Sequence, residues 1–120
     1  MTKEVLMHRL KLYAIQYAKL VLSLPYNIVN KNYSDQGNRS ASSAAANYRA
    51  ACRAKSHPDF INKLKIVEEE LDESIFFLEM ILELNSSLLS EINVLSKEGN
   101  ELLAITVASL KTLRLSNRNS

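Results

Sequence analysis

Glycine and proline occur only twice each in this 120-residue chain, and cysteine only once. So few helix breakers exclude a turn-rich β architecture and favour helix almost throughout. A single thiol, Cys52, rules out a disulfide within the chain and reads as a small buried residue of a reducing, cytoplasmic protein. Nowhere do about 18 consecutive apolar residues occur, so no membrane span is expected. The first residues intersperse Lys3, Glu4, His8, Arg9 and Lys11 among apolar ones, which is not the unbroken core of a signal peptide. Only two histidines are present, and neither stands three or four residues from a second good ligand on one buried face. The Glu-x-x-His pairs of a di-iron bundle are therefore missing. There is no phosphate-cradling glycine loop either, and no histidine near Cys52 in sequence to activate it. The chain is read as non-catalytic, with no metal and no cofactor.

What remains is rich in Leu, Ala, Glu, Lys and Ser, at a length that makes one domain with a single core. Leu6, Leu10, Tyr13, Tyr17, Leu20 and Leu24 keep the four-three rhythm of a helix from about Lys3 to Leu24, which Pro25 ends. Tyr26 to Asn38 is dense in Asn, Ser, Asp and Gly, and reads as a loop with a weak helical lead-in from about Asp35. The second helix then continues to about Lys55, the third spans Pro58 to Leu84, and the fourth about Ser87 to Leu115. Gly99 inside the fourth helix marks a close crossing or a bend. Short connections make this an all-α, antiparallel, up-and-down four-helix bundle over 1–115, with a polar, frayed tail at 116–120.

The second helix has two distinct faces. Arg39, Ser42, Ala46, Arg49 and Arg53 fall on one side, while Ala41, Ala44, Ala45, Tyr48, Ala51 and Cys52 form a small-residue packing stripe on the other. Alanine there lets a neighbouring backbone approach at the short end of the usual ~8–10 Å interaxial range. Asn47, an amide beside that stripe, is expected to bond a backbone carbonyl or another helix and hold register, and Tyr48 to fill core space. Ser56, with Pro58 and Asp59 after it, caps the third helix. From Phe60 that helix carries a heptad seam of Phe60, Leu64, Val67, Leu71, Ser74, Leu78 and Ile81. Ile66, Phe77, Met80 and Leu84 lie on its far side, and this second apolar flank predicts a subunit interface.

Charge is two-sided: residues 1–65 sum to +8 and residues 66–120 to −6. The acidic run Glu68, Glu69, Glu70, Asp72, Glu73, Glu79 and Glu83 can lie beside basic residues of the first two helices. Arg39, Arg49, Arg53, Lys55, Lys63 and Lys65 are expected to gather near the junction of helices two and three, as a patch tracking a nucleic-acid backbone would.

The run Arg39-Ser40-Ala41-x-Ser43-x-x-Ala46-Asn47-Tyr48, then Arg49-Ala50-Ala51-Cys52-Arg53-Ala54-Lys55-Ser56 and Asp59-Phe60-Ile61-x-Lys63-Leu64, resembles the four helix bundle family first associated with intervening sequences of bacterial 23S ribosomal RNA genes. The similarity continues through Glu68-Glu69-Glu70-Leu71-Asp72-Glu73-Ser74 and, more weakly, Lys97-Glu98-x-Asn100-Glu101-Leu102-Leu103. Gly37 and Asn38 depart from it, standing where apolar residues are usual, and Ile75-Phe76-Phe77 replaces a segment that usually contains tryptophan. The resemblance implies a small up-and-down bundle that assembles as a ring-like homopentamer. One branch, the accessory variability determinant of diversity-generating retroelements, partners a reverse transcriptase and binds RNA or DNA through basic surface. Two functional expectations follow: an assembly whose basic surface engages RNA or DNA, or a structural adaptor that holds other proteins.

Overall fold

A computed structural model describes residues 1–119, with side chains described through residue 116. Four helices account for nearly all of it: α1 (Lys3–Ser23), α2 (Ile28–Ala51), α3 (His57–Leu84) and α4 (Leu89–Asn119). Their backbones neighbour one another in the cyclic order α1–α2–α3–α4–α1 and, among the described residues, no diagonal pair of backbones comes close, although long side chains of α1 reach across to α3. The molecule measures 52 × 21 × 21 Å, and a 21 Å section holds two helices of about 10 Å each way. This is the all-α, up-and-down four-helix bundle expected from the periodicity.

Local chemistry sets most of the helix ends. Thr2 accepts from the Val5 amide at 3.1 Å and starts α1, and Leu24-Pro25 stops it. Ser56 accepts from the Asp59 amide at 3.2 Å, with Pro58 in the first turn of α3, as anticipated. Asn85 closes α3, and a single 3-10 turn, Ser86–Leu88, leads into α4. Helix α4 continues past Leu115 to Asn119, since neither Gly nor Pro interrupts the polar end; Ser120 of the expected tail lies outside the described residues.

The largest departure from expectation is the start of α2. There is no loop across Tyr26 to Asn38: the helix begins at Ile28, where Asn27 accepts from the Asn30 amide at 2.8 Å. Three of the residues that look like loop formers, Asn30, Ser34 and Gly37, occupy the buried face of this helix. Asn30 and Asn85 exchange amide hydrogen bonds at 3.0 and 2.8 Å, and Asn30 also donates to the Pro25 carbonyl. A polar stripe whose partners lie on other elements hides its periodicity from a hydrophobicity reading. At the other end α2 stops at Ala51, with Cys52 as cap, short of the expected Lys55.

All four helices meet at one level of the core. Tyr13 and Tyr17 of α1 stand edge to face, their ring centroids 5.9 Å apart. The Tyr17 hydroxyl donates to the Ser74 carbonyl of α3 at 2.9 Å, and the Tyr13 hydroxyl lies 2.8 Å from Ser74 Oγ. Because Ser74 Oγ gives its own proton to the Leu71 carbonyl, Tyr13 is the donor in that contact. The two glycines complete the arrangement. A Cβ on Gly37 of α2 would overlap the Tyr17 hydroxyl and lie 2.8 Å from Cζ, and one on Gly99 of α4 would lie 2.7 Å from the Tyr13 hydroxyl. Gly99 is thus the close crossing its position implied. Above and below this level the core is aliphatic, with Leu10, Leu64, Val67, Leu71, Leu78, Ile81, Leu102 and Leu110 essentially dry. Buried Ser40 and Thr106 donate back to carbonyls of their own helices, so neither is left unpaired.

Two outcomes are expected from this level of the core. Gly37→Ala gains about 1 kcal/mol in helix propensity but meets the pinned phenol, and denaturant titration should show a net loss of about 1–3 kcal/mol, reduced when Tyr17→Phe is added. Burial pushes the Tyr13 phenol up to about 12 and the Tyr17 phenol further. Both are held neutral in the fold, so the stability they supply is full below the ordinary phenol value of about 10 and is lost as pH rises from there through the raised values. The urea midpoint should fall between pH 10 and 12, and fall less in Tyr13→Phe/Tyr17→Phe; an equal fall would contradict the assignment.

Candidate nucleic-acid interface

The six cations expected to converge are divided by the fold. Arg39 reaches across from α2 to α3, with Nη2 3.1 Å from Glu73 Oε2 and 3.2 Å from Glu70 Oε2. The Glu70 contact is an ion pair without hydrogen-bond alignment. Lys63 pairs with Asp59 one turn back at 3.1 Å, and that hydrogen bond, with one from the Lys55 amide, holds the Asp59 carboxyl below its ordinary range. Lys55 lies in the turn between α2 and α3, and Lys65 is exposed on α3. Arg39 and Lys63 are thus drawn to the acidic run of α3 and to the α3 cap, while Lys55 and Lys65 have no ion-pair partner among the described residues.

Arg49 and Arg53 instead face α1. With Lys11 they border a groove of about 500 Å³ between α1 and α2, floored by Met7, Ala45 and Ala46. Both arginines are exposed, and among the described residues none of the three cations has an ion-pair partner. Lys11 was missing from the expected set because α1 was read for its buried seam alone. Its position on the α2-facing flank of α1 was available from the same 100° spacing. The lining offers cations over methyl groups, with no carboxylate, nucleophile or imidazole. Such a surface can neutralise anionic oxygens and let a polymer backbone lie close to the alanines.

The remaining anticipated residues fall into place individually. Tyr48 is buried in the core, and Cys52 beneath it is a half-buried free thiol. Burial, and then Cys52, raise the Tyr48 phenol above its ordinary value. Asn47 donates to the Ser43 carbonyl at 2.9 Å and to Ser43 Oγ, so it acts within its own helix. The amide link between helices is the Asn30–Asn85 pair instead. Of the α3 flank, Ile66 and Leu84 are exposed and Met80 is half-buried. Phe77 is not free: it packs against Tyr33, 6.0 Å between centroids, and its Cβ borders Gly37. The aromatic that faces outward is its neighbour Phe76, 52% exposed. Among the described residues no three His, Cys, Asp or Glu side chains gather as metal ligands, and no helix is long and apolar enough to cross a membrane.

With the groove and its helices defined, the chain can be set beside known proteins. It is similar to a protein of unknown function from the S23 ribosomal protein family of Bacteroides thetaiotaomicron, solved as a crystal structure, at 26% identity and a TM-score of 0.79. The match covers 92% of this chain and 99% of that one. A relation to an S23-like family is supported. That agrees with the 23S ribosomal RNA intervening-sequence resemblance read from Arg39 onward. No family model matches the chain, and no curated protein matches it.

Proposed function

We propose that this chain is a non-catalytic, self-associating bundle of the cytoplasm that binds RNA or DNA through the Lys11–Arg49–Arg53 groove. The observation that carries the reading is the contrast among its cations. Arg9, Arg39 and Lys63 are taken up by carboxylates, whereas the groove cations line one concavity over small side chains. Neutralising phosphates there releases counterions, which makes affinity fall steeply with salt. Assembly as a pentamer and service to a reverse transcriptase rest on the family resemblance alone. The adaptor reading has its own support in the apolar outer surfaces of α1 and α3.

The test is affinity for single- and double-stranded oligonucleotides across about 50 to 200 mM salt. The wild-type chain should show a steep negative slope of log affinity against log salt. Arg49→Ala/Arg53→Ala should make it shallower by about 1.4 to 1.8, the contribution of two phosphates, while Arg39→Ala leaves it nearly unchanged. Absent binding at low salt, or an unaltered slope in the double variant, would favour the adaptor.

A further inference from the structure

The end of the bundle formed by the α1–α2 and α3–α4 connections is apolar and uncharged. In a chain where 23% of residues are charged, none occurs between Leu20 and Asn30 or between Leu84 and Ser90. Six large side chains stand out from this end, Leu22, Tyr26, Ile28, Val29, Leu84 and Leu89, and the first three are 85%, 87% and 83% exposed. Scattered surface apolar residues are ordinary; six around two adjoining turns form a patch. The Asn30–Asn85 exchange, at 3.0 and 2.8 Å, ties the two turns together. The opposite end carries Lys3, Lys55, Lys111 and Arg114 instead.

Much of the polar backbone at this end is partnered from within. The Leu24 amide donates to the Val21 carbonyl, the Asn85 amide to the Leu82 carbonyl and the Leu88 amide to the Asn85 carbonyl. Pro25 has no N–H to satisfy, and its carbonyl accepts from the Asn30 side chain. Ser23 Oγ donates to the Leu20 carbonyl. Such a tip leaves water at little polar cost. Its size argues against another protein as the occupant. A flat contact across the 21 × 21 Å section covers on the order of 440 Å² per partner, about half of the ~800 Å² of a specific interface. A fluid lipid surface moulds itself around a convex tip and needs no matching concavity. Tyr26 supplies the amphipathic ring that settles at headgroup level.

We infer that this end of the bundle docks onto a lipid surface, its two apolar turns entering the interface while the rest of the rod stays in water. This goes beyond the nucleic-acid reading and does not depend on it. Lipid charge is not the attraction. The collar behind the tip mixes Lys19 and Lys31 with Glu83 and Glu91, and Lys31 is paired with Asp35 at 2.7 Å, so neutral headgroups suffice. The Lys11–Arg49–Arg53 groove opens nearer the far end, because Arg53 lies just past the C-terminus of α2.

Vesicle sedimentation separates the tip from the basic groove. The wild-type chain should sediment with phosphatidylcholine vesicles, and equally when phosphatidylserine is mixed in. It should still do so at about 1 M salt, where charges are screened beyond ~3 Å. Tyr26→Ser/Ile28→Ser should weaken partitioning at least about tenfold, while Arg49→Ala/Arg53→Ala leaves it unchanged. The chain contains no tryptophan, so Tyr26→Trp sets a single reporter at the tip, and its emission should move to shorter wavelength when vesicles are added. Failure to sediment with either vesicle, or binding that disappears at high salt or survives in the tip variant, would overturn the proposal. So would a wild type that stays off vesicles and self-associates through the tip, its mass falling in Tyr26→Ser/Ile28→Ser; that result would assign the patch to a second copy. Where circular dichroism shows that the serine variant has lost its helices, the Tyr26→Trp emission decides, and an unshifted spectrum would overturn the docking.

Discussion

One buried polar contact, two phenols of α1 against Ser74 of α3, governs how the four helices sit. A hydroxyl buried without a partner costs several times what a made hydrogen bond returns. Tyr13 and Tyr17 can therefore be dry only where Ser74 offers its Oγ and its carbonyl. That requirement fixes the height of α1 relative to α3. The rings also need space on the other two helices, and both glycines of the chain are placed to give it. An aliphatic bundle tolerates sliding by a heptad; this one does not, since a shift strands two phenols and sets a Cβ against each.

The same fixed height has consequences at the surface. It brings the basic flanks of α1 and α2 together as a groove and lays Arg39 against the acids of α3. Contact between helices is most extensive for α2 with α3, where buried Ala41, Ala44 and Ala51 allow close approach, and least for α1 with α4. There Arg9 bridges to Glu98 and Glu101, and its guanidinium is held well above its ordinary pKa, chiefly by the Glu98 hydrogen bond. The bundle is thus a tight pair, α2 and α3, flanked by α1 and α4.

Most of the architecture was legible because three of the four helices carry their apolar residues at regular spacing. The seam from Phe60 to Ile81 predicted six of the eight buried positions of α3, Ser74 among them, but not Ile61 or Ile75, and its first member Phe60 is half-buried; the Ser56 cap was readable from three residues. The first half of α2 was not, since its core positions are Asn30, Ser34 and Gly37, which carry no hydrophobic signal; Asn30 depends on Asn85 and Gly37 on Tyr17 and Phe77, all on other elements and distant in sequence. The basic surface was half legible. Residue type and face identified Arg49 and Arg53, but which cations stay free depends on the carboxylates opposite them, a tertiary fact. Phe76 and Phe77 show the same limit, as adjacent aromatics are sorted inward or outward only by what Tyr33 and Gly37 leave open.

The claim on which this account stands is that the phenols and Ser74 act as one coupled unit. A double-mutant cycle of Tyr13→Phe and Ser74→Ala, read by urea denaturation, measures it directly. The account predicts a coupling of about 0.5–3 kcal/mol, the range for residues in one hydrogen-bond network. Strictly additive losses would contradict it, and would mean that register is set by aliphatic packing alone.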